Sequence, residues 1–300
     1  MSLNNFPLLN SSAWHQTTNE ELKLAGFKRT VESPNRKVHL LHGNGFSSFT
    51  LSEFAAELPQ DWNLYFTDIP GHGNSEQPSH RMPDWQSMAS TIAQGIIDTT
   101  NLSKDEKVTG IGHSLGGVLT LLAAYEYPHL FDRIVLLDPP LFEPHLLVIQ
   151  HFLRTTGIWK KTKFTKAVNN RREHWHSEEE MYSDLKKKRL YKNWQPQVLK
   201  DFINGATFKD ENNGLNLLCD PRWEASIFNS YPKKVWKKIA NIKVPVEVVT
   251  ADNSYKFIRP ATKRAMKLNN LIQRHDFGKS HCFPMEVPKD TAKFVVNLIE

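Results

Sequence analysis

Between two apolar stretches of the chain lies Gly112-His113-Ser114-Leu115-Gly116, followed by Gly117. Residues 107–111 read as a strand, and residues 115–125 as a helix ended by Pro128. A G-x-S-x-G pentapeptide in that setting leaves the backbone few options. The chain must reverse sharply at Ser114, which strains the backbone there. Glycines at 112 and 116 remove side chains that would collide across the turn. The serine oxygen is then pushed into the open at the amino end of a helix. The N–H of Leu115 points at the place where an oxyanion would form. Ser114 is the candidate nucleophile, and Leu115 a candidate oxyanion donor.

The same strand-then-helix rhythm recurs along the chain. Residues 38–41 are an apolar run ending in His42-Gly43-Asn44-Gly45, and residues 63–69 end in Pro70-Gly71-His72-Gly73. Residues 83–100 read as a helix, with Trp85, Met88, Ile92 and Ile96 at three-to-four spacing. Residues 133–137 carry no polar alternation, as expected of a strand covered on both faces. Strands over 244–251 and 271–277 alternate with helices over 260–268 and 288–299. Alternation of this kind implies an α/β fold, with a mostly parallel central sheet and helices on both faces. Residues 22–29 read as an early strand or hairpin edge.

From Leu141 to Tyr231 the pattern breaks, and no convincing strand is legible. Ser177-Glu178-Glu179-Glu180 resembles a capping box opening a helix. Pro196 suits the first turn of another, which Gly205 could end, and Pro221 and Pro232 could each open one more. The expected organisation is a core of residues 1–140 and 232–300 with a helical lid (cap) inserted over 141–231. A chain of 300 residues has room for such a core and insertion. Helices inserted at a strand edge commonly cover a site at the carboxyl ends of the strands.

Charge narrows the partners. The net charge of +6 arises from 38 basic and 32 acidic side chains. Much of the excess sits in short amphipathic stretches, 160–166 and 186–189, which solvated helix faces explain. No nucleic-acid partner is expected, and no stretch approaches the ~18 apolar residues of a membrane span. The first ten residues lack a basic start and long apolar run, so no signal peptide is read there and a cytoplasmic protein is expected. Two distant cysteines, Cys219 and Cys282, suggest neither a disulfide framework nor a metal site.

Serine is a weak nucleophile without a base. His281 is the candidate, because it follows the last predicted strand and precedes Phe283-Pro284-Met285-Glu286. His275 lies inside that strand, and His113 is beside the nucleophile. Small residues in His42-Gly43-Asn44-Gly45 let the backbone approach a substrate carbonyl, making the N–H of Asn44 the second oxyanion donor. The Asp68–Ser75 loop, with Gly71, His72 and Gly73, is read as structural.

Taken in order, these landmarks resemble the α/β-hydrolase superfamily, specifically its lidded esterase-like members. The resemblance covers roughly residues 36 to 298 and rests on His42-Gly43, the Asp68–Ser75 loop, the Ser114 pentapeptide and Ser280-His281. It implies a triad in which a carboxylate holds the imidazole tautomer. Most family members place that acid three residues after a glycine ending the seventh strand. Here Ala251 replaces the glycine, and Ser254 holds the acid position. Two carboxylates could substitute. Asp138, in Leu137-Asp138-Pro139, resembles the acid after the sixth strand of pancreatic-type lipases and is preferred. Asp252 is the alternative.

The resemblance implies a serine hydrolase acting on a carboxylic ester or related acyl substrate through an acyl-enzyme, with no metal or organic cofactor. Phe142, Leu146, Leu147, Phe152, Trp159 and Phe164 would line an acyl pocket or pack the lid on the core. Alternatives are a carbon–carbon bond hydrolase or acyltransferase using the same serine, or a non-catalytic ligand-binding protein on this fold.

Overall fold

Neighbouring residues on the central strands face opposite layers. Ile134 and Leu136 enter one buried apolar cluster, while Val135 and Leu137 enter the other. Such a strand needs cover on both sides. The computed structural model describes residues 6–8, 10–18, 22–79, 84–155 and 170–300. Pro83, Trp159, Phe164 and the basic stretch 160–166 lie outside the described residues.

The strands are β1 (Ser11–Thr17), β2 (Lys23–Arg29), β3 (Arg36–Leu41), β4 (Trp62–Thr67), β5 (Val108–His113), β6 (Phe131–Leu137), β7 (His174–Trp175), β8 (Thr207–Lys209), β9 (Leu215–Leu217), β10 (Val246–Thr250) and β11 (Ile272–Asp276). Eight of them form one sheet in the order β1-β2-β4-β3-β5-β6-β10-β11. The two pairings that involve β2 are antiparallel and the others parallel. Register sets Leu41 beside Gly112 and His113 beside Leu137. The residues just past β3, β5 and β6 therefore share one edge of the sheet, where ligands of such sheets bind.

The α-helices among the described residues are α1 (Ser52–Ala56), α2 (Trp85–Thr100), α3 (Leu115–Glu126), α4 (Pro144–Thr155), α5 (Glu178–Lys186), α6 (Pro196–Ala206), α7 (Pro221–Phe228), α8 (Val235–Ala240), α9 (Ile258–Leu268), α10 (Phe283–Glu286) and α11 (Pro288–Ile299). Residues of α2, α3, α8 and α9 cover one face of the sheet, and residues of α1 and α11 the other. At the start of α2 the Asp84 carboxylate accepts the Gln86 and Ser87 N–H groups, so the described helix begins at Trp85.

Expectations for residues 141–231 and for Pro232 are corrected. The segment does contain strands: β7, β9 and β8 pair antiparallel as a small second sheet. At two or three residues each, they are too short to carry a period-two pattern. Gly205 does not end α6; it is buried within the last turn, where a Cβ would lie 2.1 Å from Cγ of Phe49. It is needed for close packing of helix on ring. Pro232 opens no helix, since α8 starts at Val235 after Lys234 in left-handed conformation. Ser177 does cap α5, accepting the Glu180 N–H at 3.2 Å, but Glu180 reaches back to the N–H of His176 rather than that of Ser177.

A third cluster joins the insertion to the sheet domain. Trp175, Met181, Trp194 and Phe202 pack there with Phe46, Cys282 and Met285. Cys219 and Cys282 are buried and unbridged.

Candidate active site

Ser114 sits at the β5–α3 junction with φ 53° and ψ −119°, a conformation that costs a non-glycine residue energy. Its surroundings impose the turn. A Cβ at Gly112 would lie 2.4 Å from the Gly116 carbonyl oxygen, and one at Gly116 would lie 2.3 Å from that of Leu41. The Ser114 N–H donates to the Leu137 carbonyl at 2.9 Å, bracing the elbow against β6.

His281 follows β11. Its Nε2 is 2.9 Å from Ser114 Oγ, and its Nδ1 is 2.6 Å from Asp138 Oδ2. A carboxylate can only accept, so Nδ1 carries the proton and Nε2 accepts from the serine hydroxyl. Asp138 is fully buried at the end of β6, with φ 50°. Its Oδ1 accepts the Ala251 N–H at 3.1 Å, and its Oδ2 also accepts the Ser254 hydroxyl. The other candidate acid, Asp252, points away: its side chain is 67% exposed and pairs with Arg259 at 2.8 Å. In the sheet β6 lies between β5 and β10, which sets Asp138 rather than Asp252 against His281.

Asn44 is held through its side chain. His72 Nε2 lies 3.1 Å from Asn44 Oδ1, and Asn44 Nδ2 donates to the Glu224 carbonyl at 3.0 Å. Leu115 is the first residue of α3, where an N–H has no acceptor within the helix. Asn44, Leu115, Ser114 and His281 all line one cavity of about 410 Å³. Phe142 lines it too and stacks on Phe257 at 4.2 Å. Leu147 packs against the core and Leu146 is half-buried, whereas Phe152 is 62% exposed.

The loop after β4 is tied from within. Asp68 accepts the Ser48 N–H (2.8 Å), the Ser48 hydroxyl (2.7 Å) and the Asn74 N–H (2.9 Å). His42 Nε2 lies 3.9 Å from Asp68, yet the two do not form an ion pair. That nitrogen accepts the Ile69 N–H at 3.0 Å while Nδ1–H donates to the Gly43 carbonyl, so the ring is neutral.

Four buried histidines share that condition. Burial lowers His39, His72 and His113 to about 3 and His42 to about 4, from 6.5. Their contribution to stability is complete above pH 6.5, where folded and unfolded chains are both neutral. It is lost as pH falls toward 4, because only the unfolded chain takes up the protons. Each histidine costs about 1.4 kcal/mol per pH unit in that window, so roughly 5 kcal/mol disappears between pH 7.5 and 5.5. Asp68, whose carboxyl burial raises, works the other way and offsets part of it. Urea titrations at the two pH values should show the midpoint falling sharply; an unchanged midpoint contradicts the neutral assignment.

Sequence reasoning missed two charged neighbours. Glu224 lines the cavity, and its carboxylate pairs with Arg171 at 2.6 Å; Arg171 also donates to the Tyr191 hydroxyl at 2.9 Å. Glu224 lies within amphipathic α7 and Arg171 beside Arg172, and neither carries a local signal. Tyr255, whose ring stands edge-on to His281 at 5.0 Å, was equally silent.

Comparisons with known proteins bear on the family and the fold. A curated relative from Mycobacterium tuberculosis, itself uncharacterized, is 33% identical over 115 residues, 38% of this chain and 32% of its own length. A serine hydrolase-like protein of Danio rerio is 30% identical over 155 residues, 51% of this chain and 46% of its own. The chain thus spans a third to a half of the length of these relatives. Among solved structures, E-2-(acetamidomethylene)succinate hydrolase superposes with a TM-score of 0.76 at 18% identity, covering 96% of this chain and 99% of that one. Residues 32–207 match the family model described as serine aminopeptidase, S33. The chain belongs to that family of α/β-hydrolases.

Proposed function

We propose that this chain is a serine hydrolase that cleaves carboxylic esters of uncharged, apolar acyl groups through an acyl-enzyme intermediate. The supporting observation is the continuous line of hydrogen bonds from Ser114 through His281 to buried Asp138, opening on a cavity. In this reading His281 Nε2 takes the Ser114 proton as Oγ attacks the carbonyl carbon. The N–H groups of Leu115 and Asn44 receive the oxyanion. The imidazolium, steadied by Asp138, protonates the leaving alcohol; it then removes a proton from the water that releases the acid.

Cavity chemistry supports the substrate class. Trp85, Phe46, Phe142, Phe228 and Phe257 supply apolar and aromatic surface. At about 410 Å³ the cavity lies toward the small end of small-molecule sites. Glu224, in the wall, has its carboxylate paired with Arg171 at 2.6 Å, so the apolar lining sets the preference. Hydrolysis of p-nitrophenyl esters should therefore be best for short chains, about four to eight carbons, and fall away for long ones. Turnover of no ester at all, together with failure of a fluorophosphonate to label Ser114, overturns the proposal.

A further inference from the structure

Ser254 stands where most relatives are expected to carry the acid, and its hydroxyl donates to Asp138 Oδ2, the oxygen that also receives His281 Nδ1–H. The acceptor is a carboxylate, so the serine can only donate. The four residues 251–254 run as a clip between the acid and the base. The Ala251 N–H holds Asp138 Oδ1 at 3.1 Å. The next two N–H groups, of Asp252 and Asn253, donate to the Gly278 and Lys279 carbonyls at 3.0 and 2.9 Å, in the loop that leads to His281. Ser254 then closes on the second oxygen of Asp138. Both carboxylate oxygens are thus held from one loop, which is itself fastened to the histidine's loop.

We propose that Ser254 is a positioning residue, fixing the Asp138 carboxylate so that Oδ2 faces His281. The departure from the family's pattern is then an exchange of roles between two strand ends: β6 supplies the acid, and the loop after β10 supplies the donor that aims it. The inference rests on the proposed hydrolase reading for its catalytic meaning, although the geometry can be tested without turnover.

Removing the hydroxyl leaves the carboxylate charge less well satisfied, so it attracts the imidazolium more strongly. His281 in Ser254→Ala should hold its proton to higher pH. Among the described residues, the other titratable groups facing this pair are His113, Tyr255 and Cys282, with Arg189 acting on Tyr255 and Glu286 acting on Cys282. Burial keeps His113 neutral, its pKa lowered to about 3, and pushes the Cys282 thiol up to about 12 and the Tyr255 hydroxyl above its ordinary value. These three stay silent through the window in which the change is read.

The experiment is an NMR titration of the His281 imidazole in the full chain, assigned against His281→Gln, for wild type, Ser254→Ala and Ser254→Thr. The expected midpoint in Ser254→Ala lies about half a pH unit above wild type, while Ser254→Thr, which keeps the hydroxyl, stays with wild type. The acidic limb of kcat/KM moves with it, and kcat falls about tenfold with KM unchanged. A Ser254→Ala titration identical to wild type overturns the proposal, even if the melting temperature drops, since that is what a purely structural role would give. If the midpoint moves but a fluorophosphonate leaves wild-type Ser114 unlabelled, the positioning role holds and the hydrolase reading fails.

Discussion

Replacing Ser114 with alanine lowers kcat on a short p-nitrophenyl ester by about 10⁶, to the level set by substrate binding and oxyanion donors alone. The residue's side chain touches the rest of the site through His281 Nε2, and its N–H bond to Leu137 survives the change. The melting temperature should therefore hold, which separates lost chemistry from lost fold. Labelling by a fluorophosphonate should vanish in the same variant. Retention of the wild-type rate would mean that another group attacks the carbonyl.

Asp138→Asn should cost about 10⁴ in kcat, and Asp252→Asn no more than about twofold. The asymmetry follows from the hydrogen bonds. Ala251 N–H requires an acceptor, so an asparagine at 138 keeps its carbonyl oxygen there and turns its amide NH₂ toward His281. Nδ1 must then become an acceptor, the ring proton moves to Nε2, and the serine loses its base. Asp252 binds Arg259 on the surface, where its charge is screened from the imidazole. Parallel kinetics of the two variants decide the matter; a collapse in Asp252→Asn with Asp138→Asn intact reverses the assignment.

The sheet and the nucleophile's turn were legible because their signals are local. Apolar runs of four to seven residues, followed by glycines or prolines, encode strands with abrupt exits, and β3 to β6 lie within a few residues of where those runs predict them. For the acid, the chain offered Asp138 as the preferred residue and Asp252 as the alternative. Nothing near Asp138 or Asp252 in the chain records which strand lies beside β5, and strand order is what sets Asp138 against His281. The contact of Ser254 was hidden for the same reason, since its partner Asp138 is 116 residues away. Gly205 illustrates another limit: a glycine late in a helix reads as a stop, while its use here is to admit the ring of Phe49. The strands of the insertion were too brief to leave a pattern.

The side chain of Asn44 has a consequence for how far this molecule can be rearranged. It is bolted on one side to His72 of the sheet domain and on the other to the backbone of Glu224. Nearby, the Trp223 indole donates to the Pro70 carbonyl, and the Trp85 indole to the Ser230 hydroxyl. The two parts are therefore not interchangeable modules. A segment borrowed from a relative must bring its own carbonyl for Asn44, or the graft unfastens the loop that the proposed mechanism uses for the oxyanion. Engineering of selectivity is better confined to side chains such as Phe142 and Phe228, which meet the substrate space without carrying that joint.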